Sequence, residues 1–206
     1  KMGAFIEMVG IDLPFALARS FNGTSLMDRV AEYVMKQVNP NTRVGGFRTI
    51  VGNDETVWEG PGIEIPFVSI SRCYNSPFYY TEYHTSEDNL ALNSIERLQE
   101  TLTVLEKMVY IFENNRVMRR KFKGLLALSN PKYNLYIERP DPTVAKDLSE
   151  IQIKMGFMQD YIQRLFDGRT SILDIAERFD IPFEVVEKYL RQFEEKGLIE
   201  FLRISL

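Results

Sequence analysis

The residues best suited to chemistry lie together near the middle of the chain, in Glu82-Tyr83-His84-Thr85-Ser86-Glu87-Asp88-Asn89-Leu90. This stretch holds the only histidine of the 206 residues, flanked by carboxylates and preceded by an aromatic run from Tyr74 to Tyr80. An imidazole beside carboxylates is the combination that ligates a metal or moves a proton near neutral pH. The plainer reading is a hydrogen-bonded surface or core histidine. Three more carboxylates stand out. Glu7 is the one charge in the apolar run Ala4-Phe5-Ile6-Glu7-Met8-Val9-Gly10, and Asp54 and Glu55 sit side by side in the turn Gly52-Asn53-Asp54-Glu55. A carboxylate in an apolar strand is expensive to bury unless it is paired or metal-bound. Alternatively, the strand ends near Glu7 and the side chain is solvated.

The flanking pattern predicts the elements that carry these groups. Residues 3–10 read as a buried strand, 12–22 as a loop, and Thr24-Ser25 as the cap of a helix running to about Lys36, broken by Asn39-Pro40-Asn41. Phe47 to Val51 and Ile65 to Ile70 read as further strands. Ser86 is expected to cap a long helix ending at Asn114. Its apolar stripe of Leu90, Ile95, Leu98, Leu102, Leu105, Val109 and Phe112 is expected to face the core. Strands separated by a helical crossover predict an α/β layer architecture, in which ligands collect beyond the strand ends. Asp54, Glu55 and His84 fall there.

Composition narrows the class. Apolar residues make up 45% and charged residues 26%, ordinary globular values, and the net charge of −4 disfavours nucleic acid as the main partner. A single cysteine, Cys73, allows no internal disulfide, which points to a reducing, cytoplasmic compartment. No apolar run is long enough to span a bilayer, so no membrane role is expected. The chain opens at Lys1 directly into a strand pattern, and we expect it to be the C-terminal part of a longer protein.

Beyond Asn114 the composition changes. A basic cluster of Arg116, Arg119, Arg120, Lys121 and Lys123 is either a phosphate contact or a solvated edge, and Glu138 to Pro142 reads as a linker. We therefore expect domains at 1–115 and 148–206, joined by a basic hairpin or connector over 116–147. Ile151–Phe166, Ile172–Phe179 and Phe183–Lys196 read as helices and Leu198–Ile204 as a terminal strand. With the run TSILDIAERFDIPFEVVEKYLRQFEEKGLIEF, this order resembles a winged helix-turn-helix. A DNA-reading version needs basic or amide side chains on its third helix. Here residues 148–206 carry eight Lys/Arg against eleven Asp/Glu, which favours docking to protein over duplex.

The segments FRTIVGNDETVWEGPGIEIPFVSISR and YYTEYHTSEDNL together resemble the C-terminal half of zinc aminopeptidase-like proteins of the co-catalytic metallo-exopeptidase clan, in a bacterial branch with an appended winged helix. The resemblance covers about 3–115 and 148–206. It implies a partial three-layer α/β domain with a mixed sheet plus the winged helix, with zinc as cofactor. His84, in a YHTxxD-like motif, and Glu7, in FIEMVG, are the implied metal ligands, with Asp54, Glu55 and Tyr83 lining a substrate pocket. The clan's first histidine, bridging aspartate and Glu-Glu pair have no counterpart in this chain. Zinc catalysis needs about three protein ligands and an open position. The chain alone is therefore expected to be inactive and to require a missing N-terminal half of the domain. The implied parent activity is hydrolysis of an N-terminal peptide or a small related amide, with homo-oligomerisation open. The competing expectation is a non-catalytic regulatory protein whose winged helix docks a partner.

Overall fold

Gly3–Glu7 (β1) and Phe67–Arg72 (β4) lie side by side in parallel, with Glu7 opposite Ser71, so both strands end at one edge of the sheet. The computed structural model describes residues 1–74, 78–138 and 149–204, and the chain divides into two units, Lys1–Tyr110 and Ile111–Leu206. The expected linker residues 139–142 and part of the aromatic stretch lie outside the described residues. Two sheets and six α-helices make the fold mixed α/β among the described residues. No helix there is long and apolar enough to cross a membrane.

In the first unit the sheet order is β1-β4-β2-β3, with β2 at Phe15–Ala18 and β3 at Arg43–Gly45. β2 runs antiparallel to β4 and parallel to β3. The predicted loop over 12–22 thus contains an interior strand. Pro14 stops just short of it, and all four residues of Phe15–Ala18 are buried, as expected of a strand covered on both faces. The strand expected at Phe47–Val51 is absent and β3 lies earlier. Arg48 has φ +58, which no strand residue adopts, although Ile50 and Val51 still bury their side chains.

Leu26–Val38 (α1) begins where the sequence places it. The Ser25 hydroxyl accepts from the Asp28 N–H, and the Asp28 carboxylate accepts from the Ser25 N–H, a complete capping box. That carboxylate also accepts from the N–H and hydroxyl of Ser20, fixing the exit from β2.

The long helix starts later than expected. Ile95–Asn114 (α3) is capped by Ser94, whose hydroxyl accepts from the Arg97 N–H, and not by Ser86. A bridge between Ile11 and Asn93 and a bond from Ser94 N–H to the Gly10 carbonyl tie the preceding segment to the end of β1. A Cβ at Gly10 would come within 2.1 Å of the Asn93 side-chain oxygen, so a larger residue there would displace that side chain. The expected core stripe is also reversed: Ile95, Leu98, Leu102 and Val109 are exposed, while Thr101, Val104 and Met108 face inward. A buried charge sets that rotation. Arg72, 1% exposed, lies 3.5 Å over the Phe15 ring and donates to the Leu13 carbonyl and to Glu100 of α3 at 2.5 Å. Arg97 and Asn39 also donate to Glu100. Burial lowers the Arg72 pKa, opposed by the Glu100 charge.

In the second unit, Arg116–Arg120 (β5) is the middle strand of a sheet ordered β6-β5-β7, antiparallel to Asp167–Ser171 (β6) and Ile199–Arg203 (β7). The basic stretch expected to be a connector is therefore structural at its start. Glu150–Ile162 (α4), Ile172–Phe179 (α5) and Phe183–Glu195 (α6) surround a core that includes Met158, Phe166, Leu173, Phe183, Leu190 and Phe193. Ser171 and Asp174 box the start of α5, and Asp180 closes it with φ +50. After α6, Gly197 at φ +67 and Leu198 donate to the carbonyls of Glu194 and Phe193, a Schellman closure.

Residues 125–137 form no strand. Side-chain amides replace the ladder. Gln163 bonds both the N–H and the carbonyl of Leu126, and Gln159, one turn earlier on α4, does the same for Ile137 at 3.0 and 2.7 Å.

Two stability tests follow from these contacts. Glu100→Gln should cost about 3 kcal/mol in urea unfolding because it strands the Arg72 charge, and Arg72→Met with Glu100→Leu should recover most of the loss. A single-variant cost under about 0.5 kcal/mol, the level of an ordinary surface change, would rule out this role for the pair. Gln159→Ala should cost about 1–3 kcal/mol through the two unpaired backbone groups of Ile137. An unchanged unfolding midpoint would remove that explanation.

Candidate functional site

The shared C-terminal edge of β1 and β4 gathers the unusual side chains of the first unit. Glu7 closes β1, and Met8 turns the chain with φ +56. Oε2 of Glu7 accepts from the Asn53 amide at 2.9 Å, while Oε1 is buried without a hydrogen-bond partner among the described residues. Asn53 belongs to a bracket. Its N–H donates to Glu55 Oε2 at 2.6 Å, and Arg48 donates to Glu55 Oε1 at 2.8 Å and to the Asn53 carbonyl at 3.0 Å. A Cβ at Gly52 would sit 2.7 Å from the Arg48 guanidinium and would push that side chain aside. Glu7 is thus a half-buried carboxylate with one oxygen satisfied and the other not. Burial raises its pKa, the Asn53 bond opposes that rise, and the nearby Glu55 charge adds to it. Burial that leaves Oε1 without a hydrogen bond favours either a proton or a cation at that oxygen.

Beyond β4, Cys73 is fully buried, 3.4 Å from the Ser71 hydroxyl, and its carbonyl accepts from the Arg43 guanidinium. Burial pushes its thiol up and the Glu7 charge adds to the rise, against bonds to Ser71 and Arg43. A protonated, enclosed thiol is a poor nucleophile.

Aromatic side chains bring the histidine segment to this edge. Tyr79 and Met8 pack against a cluster of Ala16, Ala18, Ile50, Val51 and Cys73. Tyr83 meets Tyr79 edge-on at 5.0 Å and Tyr80 at 5.3 Å, and its ring stacks on the His84 imidazole at 3.8 Å. The Tyr80 hydroxyl donates to Asp88 at 2.7 Å. Burial raises the Tyr83 phenol pKa, and the next contribution is the charge of Glu7, so the two groups sense each other. His84 itself is exposed and holds φ +60.

The residues singled out from sequence occupy different positions. Glu7 and Tyr83 share the edge, and His84 lies beside Tyr83. Glu55 is 3% exposed and uses both oxygens inside the bracket, and Asp54 is exposed without a side-chain cap bond. Asn53, Arg48 and Cys73 were not anticipated. The Gly52-Asn53 turn was the one local signal, and the bond to Glu7 spans 46 residues. Among the described residues no group of three or more His, Cys, Asp and Glu could hold a metal ion. The free oxygen of Glu7 fits one ligand position, but the set does not complete a zinc site, which needs about three protein ligands.

The bracket makes a prediction for titration. Glu7 should protonate above its ordinary value of 4.5, and Asn53→Ala should move it higher still because the bond that opposes burial is gone. A folded-state pKa above the unfolded one gives stability that is present at low pH and lost as pH rises through the folded value. Glu7→Gln should therefore gain stability relative to the parent at neutral pH and not at acid pH. Carboxyl NMR titration and urea unfolding at two pH values check both, and an unshifted Glu7 contradicts them.

Comparison with known proteins adds three findings. A Clostridium acetobutylicum protein, named as a proposed polysaccharide biosynthesis protein with an aminopeptidase-like domain, is 27% identical over 195 residues, covering 91% of this chain and 40% of its own length. A solved structure from Clostridium acetobutylicum, described as a proposed peptidase, superposes with a TM-score of 0.74 at 23% identity, over 98% of this chain and 42% of that one. The fold is thus shared, and the chain spans about two fifths of each of these relatives. Residues 1–115, which contain Glu7, the bracket and His84, match the family described as a domain of unknown function, DUF4910, and the chain belongs to that family.

Proposed function

We propose that the chain forms one side of the active site of a peptidase-like hydrolase that cleaves an N-terminal peptide bond or a related small amide. One observation carries the reading: the buried, unpartnered Oε1 of Glu7, in a carboxyl whose pKa is raised by burial, at the strand-end edge that also holds Tyr83. Such an oxygen is suited to ligating a cation or taking a proton from attacking water. The names of the aminopeptidase-like and peptidase relatives support the same chemistry.

On this reading the cofactor is zinc, Glu7 and His84 are two of its ligands, and the remaining ligands and the base come from residues outside this chain. Zinc, when bound, activates water and polarises the scissile carbonyl. Glu7 is held for its part by Asn53, and Tyr83 braces the imidazole by stacking. The second unit, with three helices packed on a three-stranded antiparallel sheet, is proposed to be a winged helix-turn-helix that docks protein, in keeping with its acidic balance. A second reading, a non-catalytic scaffold of the same fold, draws on the incomplete donor set among the described residues.

The deciding experiment uses the full protein that carries this chain, with metal content by mass spectrometry and hydrolysis of aminoacyl amides. The expected result is stoichiometric zinc and amide cleavage, with zinc occupancy reduced at least about tenfold and activity lost in His84→Ala and Glu7→Gln. A metal-free, inactive protein would leave the scaffold reading standing.

A further inference from the structure

The sequence segment Glu59-Gly60-Pro61-Gly62-Ile63-Glu64-Ile65-Pro66 takes no part in the Glu7 edge. It lies at the opposite end of the sheet. Pro66 immediately precedes β4, whose far end adjoins Glu7. β2 runs against β4, with Ala18 opposite Ser69, so the chain leaves β2 toward Phe21 at the start of β4. β3 is parallel to β2 and delivers Phe47 to the same end. Together these segments wall a cavity of about 500 Å³, lined by Phe21, Phe47, Pro61, Pro66, Glu59 and Glu64 among others. That size suits a small ligand.

The lining is built. Phe21 and Phe47 meet edge-on at 5.6 Å. Glu59 is fixed by two backbone donors, the Phe21 N–H at 2.7 Å to Oε2 and the Phe67 N–H at 3.1 Å to Oε1. The first of these bonds also holds Phe21, 74% exposed, at the rim. Among the described residues no lysine or arginine lines the cavity, and the charges of Asp28 and Glu55 add to the negative field at Glu59. A water-accessible cavity with aromatic and proline walls, two carboxylates and no cation of its own is complementary to a cation with an apolar stem.

We propose that this cavity is a second binding site, separate from the Glu7 edge, for a guanidinium or alkylammonium group carried on a short apolar chain. The planar cation lies against the phenyl rings and its N–H groups bond the fixed Glu59 carboxylate, with Glu64 at the mouth. Guanidinium fits best because its flat face stacks on an aromatic ring while its edge donates.

The test titrates the full chain, by NMR or calorimetry, with n-butylguanidinium and with neutral n-butylurea of the same shape. Saturable binding of the cation, at least about tenfold tighter than the urea, is expected from a charge-dependent site. Glu64→Gln, at an exposed position, should weaken it several-fold, and Glu59→Gln should abolish the preference for the cation. Because Glu59 also fixes local backbone, Phe47→Leu serves as the independent variant and should weaken the cation with the urea unchanged. Acetyl-Gly-Arg-Gly-amide and its citrulline counterpart identify the source. Tighter binding of the arginine peptide than of butylguanidinium assigns the site to a peptide side chain, and equal or weaker binding assigns it to a free small cation. Equal affinity for cation and urea, or a preference that survives in Glu59→Gln, overturns the proposal. Neither outcome depends on zinc or on amide cleavage, so this site and the hydrolase reading fail separately.

Discussion

A guanidinium with almost no solvent exposure sits where β4, the entry to β2 and α3 converge. Arg72 cannot be left in that position without compensation, since an isolated buried charge costs several kcal/mol. The structure answers with a phenyl face from Phe15, a carbonyl from Leu13 and a carboxylate from Glu100, and even so one nitrogen, Nε, has no hydrogen-bond partner among the described residues. Much of the first unit follows from that requirement. α3 must present Glu100 inward, which fixes its rotation and places Thr101, Val104 and Met108 in the core. Arg97 then spans Glu100 and Asp12, closing the strap between β1 and α3. The strand end that carries Glu7 is held in register by the same set of contacts.

The same logic, polar groups placed by long-range partners, recurs at lower cost elsewhere. Asn53 bridges Glu7 and the Glu55–Arg48 pair, and Gln159 and Gln163 supply the hydrogen bonds that a missing strand would have made. Neutral side-chain amides make the contacts to Glu7, Ile137 and Leu126, while the Glu55–Arg48 pair meets the backbone of Asn53. An amide carries donor and acceptor on one rigid group and pays little to be buried once both are used. The residues that fix the architecture are thus often not those that attract notice as chemistry.

That distinction explains what was legible in the sequence. α1, α5 and α6 were readable because their signals are local: Ser25 with Asp28, Ser171 with Asp174, Pro182 before Phe183 and Gly197 after Lys196. β2 and β3 were not, because a strand is defined by a partner far away in sequence and Phe15–Ala18 looks like loop beside Pro14. β5 was hidden behind its arginines, two of which, Arg119 and Arg120, are exposed on a strand whose Met118 is fully buried. The apolar periodicity of α3 specifies a helix but not which face turns inward, since hydrophobic spacing does not see Arg72. At the candidate site Glu7 and His84 stand out by residue type, and Tyr83 only through the resemblance. The bracket around Asn53 had no type signal beyond a glycine turn.

His84 was singled out for its imidazole, yet its backbone is as unusual as its side chain. At φ +60 it occupies the left-handed region, where a side chain bearing a Cβ pays roughly 1 kcal/mol that glycine does not. Its ring is exposed and stacks on Tyr83 without bracing any buried element. Folding alone would be served better at this position by glycine or asparagine. A pool of variants sorted for thermal endurance should drift toward those residues, whereas one sorted for what the chain does should hold the histidine. The gap between the two outcomes measures how much position 84 owes to function.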